Sequence, residues 1–410
     1  MRGQTQLQSH IIIGGGPAGL MAAEVLSAAG RGVTLYERMP SVGRKLLIAG
    51  RGGLNLTHSE PFEKLLSRYG AARAQLETML QAFPPAALIA WVHGLGQEIF
   101  VGSSGRVFPK SLKASPLLRA WLKRLIAQGV EIKTRHEWRG WSKDGQLTFR
   151  TASGEEVAVS GESTLLALGG ASWPRLGSNG AWVEILSRRG IEIAPLRPAN
   201  CGFNVNWSDP FRTRFGGTPL KGIALNFNGQ TLRGEAVITD YGMEGGAVYA
   251  LSASLRQAID GQGTARVSLD LRPEQSASAL AEKLNRSRAG ESLANFLRKT
   301  ISLAPVAINL LRELHGLKIA TEPLALANQI KALPLILTGT QGLDRAISTS
   351  GGVPFSELDD GLMLRKLPGV HVAGEMLNWE APTGGYLLQA SFATAVRAAR
   401  AILQNYGAAA

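Results

Sequence analysis

Apolar runs and glycines near the start of the chain predict a strand, a helix and a second strand in close succession. Residues 10–13 form a short apolar run, which is typical of a buried strand. Apolar residues then recur at helical spacing over 20–26, and Gly30 is placed to end that helix. Residues 33–37 predict the second strand, which ends in the acidic residue Glu37.

Later apolar runs extend this α/β pattern to both ends of the chain. Residues 116–128 predict a helix, and residues 130–133 predict the strand that follows it. Residues 165–170 predict a buried strand that ends in glycines. Near the C-terminus, residues 370–375 predict a short apolar strand, and residues 390–403 predict a helix of small residues.

The middle of the chain has a different pattern of hydrophobic and polar residues. Between 191 and about 271, short alternating runs are separated by Gly, Asn and Asp turns, which predicts a small antiparallel β-barrel or sandwich. The runs lie at 205–207, 223–227, 235–238 and 267–269. From 274 to about 338, leucines recur at helical spacing instead.

The turn between the first strand and helix carries a glycine motif. Gly14 would permit a tight turn, Gly16 would let the backbone approach a pyrophosphate, and Gly19 would let helix and strand pack closely. The helix N-terminus would supply N–H groups to the phosphates. Glu37 would accept hydrogen bonds from ribose hydroxyls, which favours FAD or NAD over NADP. The residues predicted to contact the dinucleotide here are Gly14, Gly16, Pro17, Ala18, Gly19, Glu37 and Arg38.

The glycine-rich, basic segment 41–58 favours FAD over NAD as the bound dinucleotide. A plain NAD-binding unit would normally continue into its next helix, whereas a loop of this kind can wrap a longer dinucleotide. We expect Arg44 or Lys45 near phosphate and Asn55 or Thr57 near the flavin. The alternative is a flexible surface loop.

The C-terminal segment carries a second signature. In flavoproteins with two dinucleotide-binding motifs, an acid at the position of Glu375, after Gly374, lies beside the ribityl chain of FAD. Gly384, Gly385 and Tyr386 precede the predicted helix, and the glycines would let its N-terminus point at the flavin edge that becomes anionic on reduction.

Three further positions belong to the predicted cofactor site. Val130 lies where such folds place the strand near adenine, and Gly169 and Gly170 are similar to the second glycine motif of these flavoproteins. A separate NAD(P)H site at that second motif is the alternative.

Together these segments resemble a family of bacterial flavoproteins that includes aminoacetone-oxidase-like enzymes, a bile-acid enone reductase and a ribosomal RNA dihydrouridine synthase. The chain departs from that family at two positions, with Leu54-Asn55 in place of Cys-Asn and Tyr386-Leu387 in place of Tyr-Asn. The segments that carry the resemblance lie at 14–19, 43–57, 105–110, 167–180, 350–353 and 374–386.

The predicted fold class is α/β, a doubly wound FAD-binding Rossmann-type domain with inserted β-barrel-like and helical domains. The FAD-binding domain is discontinuous and comprises residues 1–190 and 339–410. The inserts are an antiparallel β domain at 191–272 and a helical domain at 273–338.

The charge balance points to polyanions. There are 44 Lys and Arg against 31 Asp and Glu, a formal net charge of +13, which attracts nucleic acid or phosphorylated ligands. Six cations lie between 101 and 125 with Phe108, Pro109 and Trp121 among them and no acid, and ribosomal RNA is the partner they suggest. They are Arg106, Lys110, Lys113, Arg119, Lys123 and Arg124. The alternative is a solvated amphipathic helix.

Other features exclude several classes of protein. The lone Cys201 excludes an intramolecular disulfide and a Cys-x-x-Cys redox pair, and we expect it in the core. Residues 1–10 are polar and too short for a signal peptide, and no apolar stretch approaches the ~20 residues of a spanning helix, so we expect a cytoplasmic protein away from membranes. No histidines pair at metal-ligand spacing, and we predict no metal site.

The expected cofactor sets the reaction class. NAD(P)H would reduce the flavin, which would then deliver hydride to a C=C bond, such as that of uridine in ribosomal RNA. The alternatives are an FAD oxidase or reductase of a small amine or enone, and a flavin-bound RNA-binding protein without turnover. His58 and Tyr386 are the leading candidates for the catalytic acid, with Glu380 and Cys201 behind them, and no spacing singles one out.

Overall fold

The computed structural model describes residues 9–288 and 290–406, and the chain forms two compact units. Unit 1 comprises the described residues of Met1–Arg197 and Ser348–Ala410, and unit 2 comprises those of Pro198–Ile347. Residues 1–8, where no signal peptide is expected, lie outside the described residues. The chain leaves unit 1 along one strand, Ala194–Ala199, and returns along another, Ser348–Gly352.

The strands alternate with helices at both ends of the chain. In chain order the strands are β1 Ser9–Ile13, β2 Gly32–Glu37, β3 Thr57–His58, β4 Ile99–Val101, β5 Arg106–Pro109, β6 Glu131–Thr134, β7 His136–Trp141, β8 Leu147–Thr151, β9 Glu156–Val159, β10 Thr164–Leu166, β11 Ala194–Ala199, β12 Phe203–Asn204, β13 Pro219–Phe227, β14 Gln230–Ile238, β15 Gly242–Glu244, β16 Ala265–Asp270, β17 Leu333–Leu337, β18 Ser348–Gly352 and β19 Val370–Val372. The α-helices are α1 Pro17–Ala28, α2 Arg44–Ala49, α3 Phe62–Ser67, α4 Arg73–Ala82, α5 Pro85–Gly94, α6 Ala114–Ala127, α7 Trp182–Ser187, α8 Asp209–Phe215, α9 Gly246–Tyr249, α10 Ser252–Gln262, α11 Ala277–Leu284, α12 Leu293–Ile301, α13 Pro305–His315, α14 Pro323–Lys331 and α15 Tyr386–Tyr406.

A five-stranded parallel sheet forms the centre of unit 1, in the order β19-β10-β1-β2-β6. Its middle strand β1 is buried along its apolar run because helices cover the sheet, as parallel sheets require. Helix α15 packs along α1, and α15 carries many buried alanines such as Ala393 and Ala398. The doubly wound α/β class predicted from the sequence is confirmed.

Helix α1 is also fixed to two other helices by a buried carboxylate. Glu24 accepts a hydrogen bond from the indole of Trp91 on α5 at 2.9 Å and one from Arg124 on α6 at 2.6 Å. Only 10% of the Glu24 side chain is exposed. This carboxylate therefore depends on its partners for the interactions that water would otherwise supply.

Unit 2 is built on a six-stranded antiparallel sheet, in the order β12-β15-β14-β13-β16-β17. Leucines of helices α11 to α14 pack in the same hydrophobic core as the sheet. Two local assignments differ from the sequence expectation. Residues 333–337, expected within a helical segment, form β17, and the strand expected at 205–207 lies instead at Phe203–Asn204.

Two elements of unit 1 also differ from the expectation. The basic segment 41–58 contains helix α2, since its residues between Gly43 and Gly50 are strong helix formers. Helix α15 begins at Tyr386 rather than at residue 390, because the backbone N–H of Gln389 already bonds to the carbonyl of Gly385 at 3.0 Å. Among the described residues, no helix is both long enough and apolar enough to cross a bilayer.

Strand β19 carries a buried histidine, which predicts sensitivity to acid. His371 is fully buried, and burial lowers its pKa to about 4, against the opposing charge of Asp359. The unfolded chain therefore binds a proton that the folded chain excludes, and stability falls as the pH drops from about 6.5 towards 4. We expect the protein to lose about 2 kcal/mol more unfolding free energy than a His371→Leu variant between pH 7 and pH 5. Urea unfolding at both pH values measures this difference, and equal losses would show that His371 is not the titrating group.

A candidate dinucleotide site in unit 1

The glycine motif meets the start of α1 as the sequence predicts. A side chain at Gly19 would overlap the carbonyl oxygen of Gly14, so helix and strand pack at the closest possible distance. A Cβ at Gly16, by contrast, would meet no atom within 4 Å, although Gly16 caps the helix. Space next to the exposed N–H groups of a helix N-terminus suits a phosphate. The motif thus leaves room for an anion at Gly16 alone of these three glycines.

Glu37 is held at the end of β2 by two backbone groups. Its Oε2 accepts from the N–H of Gly15 at 2.8 Å, and its Oε1 accepts from the N–H of Met39 at 2.7 Å. Burial raises the pKa of Glu37, although both hydrogen bonds oppose that shift. Each oxygen retains a second lone pair, which fits the carboxylate to receive ribose hydroxyls. The neighbouring Arg38 turns outward, and its guanidinium lies 3.4 Å from the carbonyl of Pro174.

The C-terminal signature comes together with the basic segment around a second carboxylate. Glu375 Oε2 bonds to Lys45 at 2.9 Å, and Glu375 Oε1 accepts from the N–H of Thr349 at 2.9 Å. Lys45 also donates to the hydroxyl of Ser172 at 2.8 Å. The amide nitrogen of Gly170 lies 3.5 Å from Glu375 Oε2. These residues therefore converge on one point, although Lys45 and Glu375 are 330 positions apart.

Gly374 and Gly169 connect this carboxylate to the rest of the site. A Cβ on Gly374 would lie 2.7 Å from the methyl group of Ala18, so the C-terminal signature reaches the first turn of α1 beside Pro17. A Cβ on Gly169 would lie 2.9 Å from the hydroxyl of Ser178 and 3.8 Å from Glu375 Oε2.

Among the partnerless buried polar atoms of unit 1, three lie in the segments that carry the cofactor motifs. Arg44 Nε, Asn55 Oδ1 and Ser178 Oγ are inaccessible to water and have no hydrogen-bond partner among the described residues. A buried polar group without a partner is costly, and folded proteins seldom keep one without a ligand or a water to satisfy it. Arg44 and Asn55 are predicted cofactor residues, whereas Ser178 was not predicted as a ligand. A guanidinium N–H, an amide and a hydroxyl suit the phosphates and polar ring atoms of FAD.

Thr57 and Val130, which are also predicted cofactor residues, are both buried. Thr57 donates its hydroxyl to Gln389 at 2.8 Å, and a Cβ on Gly385 would clash with the Thr57 backbone. Thr57 therefore supports the turn at Gly384 and Gly385 rather than offering its hydroxyl to a ligand. Val130 lies in the core just before β6.

The candidate acids His58 and Tyr386 lie together in unit 1. Their rings are stacked with centroids 5.5 Å apart. The Tyr386 hydroxyl donates to Glu60 at 2.6 Å, and burial, together with Glu60, raises the pKa of Tyr386 far above its ordinary value. His58 Nδ1 accepts from the N–H of Glu60 at 3.1 Å, and burial lowers the pKa of His58. Tyr386 is thus a poor proton donor in this setting, and the catalytic role of either residue stays a prediction.

The chain matches the family model described as HI0933-like protein Rossmann domain over residues 8–401. The chain belongs to the HI0933-like family. The family is one of flavoprotein oxidoreductases, so the flavoprotein class predicted from the sequence is confirmed and FAD is supported as the cofactor. The placement of FAD on the residues described above stays a prediction.

Two relatives of known name align with this HI0933-like chain along almost its whole length. The 3-dehydro-bile acid delta(4,6)-reductase of Clostridium scindens is 26% identical, over 96% of this chain and 98% of the relative. The ribosomal RNA dihydrouridine synthase of Escherichia coli is 26% identical, over 94% of this chain and 95% of the relative.

Solved structures share the fold at low identity. A flavocytochrome c3 fumarate reductase is 14% identical with a TM-score of 0.53, covering 98% of this chain and 79% of that structure. A 3-ketosteroid delta1-dehydrogenase from Sterolibacterium denitrificans is 12% identical with a TM-score of 0.53, covering 97% of this chain and all of that structure (100%). At these identities the likeness concerns the fold alone.

The predicted basic cluster of this HI0933-like chain is divided between two elements. Arg106 and Lys110 lie on the β4–β5 hairpin, and Arg119 and Lys123 lie on α6, all four exposed. Lys113 is exposed just before α6. Lys110 pairs with Glu98 at 2.6 Å, an acid that lies outside the predicted run.

Two members of the predicted basic and aromatic set are structural. Arg124 is bound to Glu24, and Trp121 is fully buried against Trp91. Trp121 therefore does not stack on a base, because helix α6 turns its aromatic face to the core. Phe108 instead stacks on the exposed Phe100 with ring centroids 5.5 Å apart.

The two other candidates for the catalytic acid, Cys201 and Glu380, lie in a core and in a loop. Cys201 is fully buried in unit 2, as expected of a core residue, with its sulfur 3.6 Å from the hydroxyl of Ser252. Glu380 is partly buried in the loop before α15. In residues 9–288 and 290–406, no three His, Cys, Asp or Glu side chains gather as a metal site would require.

Proposed function

We propose that this chain is an NAD(P)H-driven FAD enzyme that delivers hydride to a C=C bond, with uridine in ribosomal RNA as its substrate. The proposal of FAD as cofactor rests on one observation. Unit 1 contains the open space at Gly16, the anchored carboxylates of Glu37 and Glu375, and buried polar atoms without a partner among the described residues. The substrate part is supported by the net charge of +13 and by the relative named as a ribosomal RNA dihydrouridine synthase.

The residues divide between the parts of FAD by their chemistry. Gly16 and the first turn of α1, with Arg44, would hold the pyrophosphate, and Glu37 would hold the adenosine ribose. Lys45, Glu375 and Ser178 would hold the ribityl and flavin portion. When bound, FAD supplies hydride acceptance from NAD(P)H and hydride donation to a substrate.

The chain's own residues would orient the substrate and exclude water from the site. His58 is the candidate acid that we retain, since the hydroxyl of Tyr386 is already donated to Glu60. His58 would act as an acid only in its protonated form, which requires Nδ1 to take up a proton and give up its contact with the N–H of Glu60. Burial lowers the pKa of His58, so this form is favoured by lower pH.

A polyanionic substrate is supported by the exposed cations beside an aromatic pair. Phe100 and Phe108 form a stacked pair on the β4–β5 hairpin, which also carries Arg106. An exposed ring suits stacking on an unpaired base, and a neighbouring cation suits phosphate. A hairpin of this kind would contact single-stranded rather than helical RNA.

Removing two of these cations is expected to weaken RNA binding in a salt-dependent manner. An Arg106→Ala, Lys113→Ala double variant should reduce the slope of log affinity against log salt by about 1.4 for single-stranded RNA, since each lost phosphate contact removes about 0.7. A Lys143→Ala variant, changed at an exposed turn between β7 and β8, serves as the control. Fluorescence anisotropy with a labelled RNA across salt concentrations measures the slope. A slope that is the same in all three proteins would contradict an RNA contact at the hairpin.

A second candidate substrate is a small enone. The bile-acid relative is named for reduction of C=C bonds, which is the same hydride chemistry without a polyanion. In that case the positive charge would have no part in substrate binding.

Dihydrouridine in large-subunit ribosomal RNA, measured by nucleoside mass spectrometry, tests the proposal. We expect a strain without the gene to lose dihydrouridine and to regain it from the intact gene. A gene copy carrying Gly16→Asp should fail to restore it. Unchanged dihydrouridine, in a strain where every other dihydrouridine synthase gene is also absent, would reject RNA and leave the enone.

A further inference from the structure

A charged network lies directly behind the turn that leads into α15. Glu60 accepts two hydrogen bonds from Arg68, at 3.0 and 2.8 Å, and one from the hydroxyl of Tyr386 at 2.6 Å. Only 5% of the Glu60 side chain is exposed, so a carboxylate has been taken out of water to make these bonds. Burial raises the pKa of Glu60, but the bonds from Arg68 and Tyr386 outweigh burial and the pKa lies below its ordinary value.

The same turn is fixed from two other directions. The hydroxyl of Tyr69 donates to the carbonyl of Tyr386 at 2.9 Å, and Tyr69 is almost fully buried. The backbone of Gly385 rests on Thr57 so closely that no side chain could be placed between them. Thr57 of β3, Glu60 and Tyr69 thus hold the N-terminal turn of α15 in place.

We propose that Glu60 is a positioning residue that holds the turn Gly384–Tyr386 against the flavin and whose charge, balanced by Arg68, sets the redox potential of the bound flavin. This inference rests on the proposed function, in which Gly384 and Gly385 belong to the flavin site. Reduced flavin carries negative charge at the edge that a helix N-terminus faces. A fixed charge nearby therefore changes the relative stability of the two oxidation states.

The two partners of the ion pair have opposite expected effects. Glu60→Gln keeps an acceptor for Tyr386 but leaves the Arg68 cation uncompensated, which stabilises reduced flavin and shifts the midpoint potential upward. Arg68→Gln removes the closer of the two cations at Glu60, leaving only the exposed Lys64 at 3.8 Å among the described residues, and shifts the potential downward. Damage to the turn alone would move both variants in the same direction.

The test measures the midpoint potential of the FAD-loaded protein by equilibration with reference dyes, and its FAD affinity by flavin fluorescence. We expect Glu60→Gln to weaken FAD binding about tenfold, because the turn loses a charge-assisted network. Tyr386→Phe should weaken FAD binding without raising the potential, because the carboxylate keeps its charge. Glu63→Gln is the matched control, since Glu63 pairs with Arg73 in the same region but is 72% exposed.

The outcomes distinguish failure of the role proposed for Glu60 from failure of the proposed FAD function. Potentials of Glu60→Gln and Arg68→Gln that equal that of Glu63→Gln, in proteins that bind FAD, would overturn the role of Glu60 and leave the proposed function standing. An intact protein that takes up no FAD would overturn both. If Glu60→Gln does not fold, the two other variants still test the proposal. Arg68→Gln should lower the midpoint potential and Tyr386→Phe should not raise it, and the opposite result in either variant would contradict the role of Glu60.

Discussion

Replacing Gly16 by aspartate is expected to abolish FAD binding while the apoprotein stays folded. Gly16 has an ordinary φ of −83°, and a side chain there would meet no protein atom within 4 Å. The new carboxylate would occupy the space at the start of α1 and repel a pyrophosphate there. We expect the FAD dissociation constant to rise more than about 100-fold, which corresponds to about 3 kcal/mol. Flavin fluorescence quenching measures the affinity, and circular dichroism measures the fold.

The neighbouring glycine provides the contrasting control. A methyl group at Gly19 would overlap the carbonyl oxygen of Gly14, so Gly19→Ala should destabilise the apoprotein itself by about 3 kcal/mol. A Gly16→Asp protein that still bound FAD with intact affinity would contradict the placement of the pyrophosphate. An unfolded Gly16→Asp protein would contradict the open space that we describe.

Replacing Arg124 by methionine is expected to cost about 3 kcal/mol of unfolding free energy. Among the described residues, the change leaves the buried Glu24 carboxylate with Trp91 as its one partner, whereas the methionine side chain keeps most of the packing volume on α6. Urea unfolding at neutral pH measures the loss. A Glu24→Gln, Arg124→Met double variant should recover part of it, because no charge is then left buried.

An exposed pair on α7 is the matched control for this prediction. Arg188 and Glu184 are about three-quarters exposed, so Arg188→Met should change the stability by less than about 0.5 kcal/mol. A loss below about 1 kcal/mol for Arg124→Met would contradict the structural role of Arg124 and return it to the set of candidate RNA contacts.

Local signals made the cofactor motifs predictable. Gly14, Gly16 and Gly19 occur in one short turn whose conformation and packing are decided by neighbouring residues, and Glu37 follows at the end of the next strand. The C-terminal pair Gly374-Glu375 ends a short apolar strand in the same way. Motifs of this kind can be found because backbone geometry depends on adjacent residues.

Contacts between distant segments could not be predicted. Glu60 lies two residues after His58 and belongs to no motif, yet it bonds to Arg68 and to Tyr386, which is 326 positions away. Ser178 comes near Glu375 only when β10 and β19 pair. No periodicity in the sequence carries such information.

The exposure of individual side chains on a helix could not be predicted from the sequence either. Trp121 and Arg124 stand among exposed cations in the sequence, but one face of α6 turns inward and takes both with it. Strand β17 was missed because its apolar run begins only two residues after the end of helix α14 and continues the apolar positions of that helix. Pro334 within the run is the local signal that disfavours a continuing helix and could have identified the strand.

The most direct test of the central claim is an anaerobic titration of the purified protein, after loading with FAD, by NADH and by NADPH. We predict that the protein binds FAD and that the visible absorbance of oxidised flavin is lost with one of the two nucleotides. That absorbance should return when a C=C substrate is added, either a uridine-containing RNA or an enone. A protein that takes up no FAD, or whose bound flavin is never reduced by either nucleotide, would contradict an NAD(P)H-driven FAD reductase.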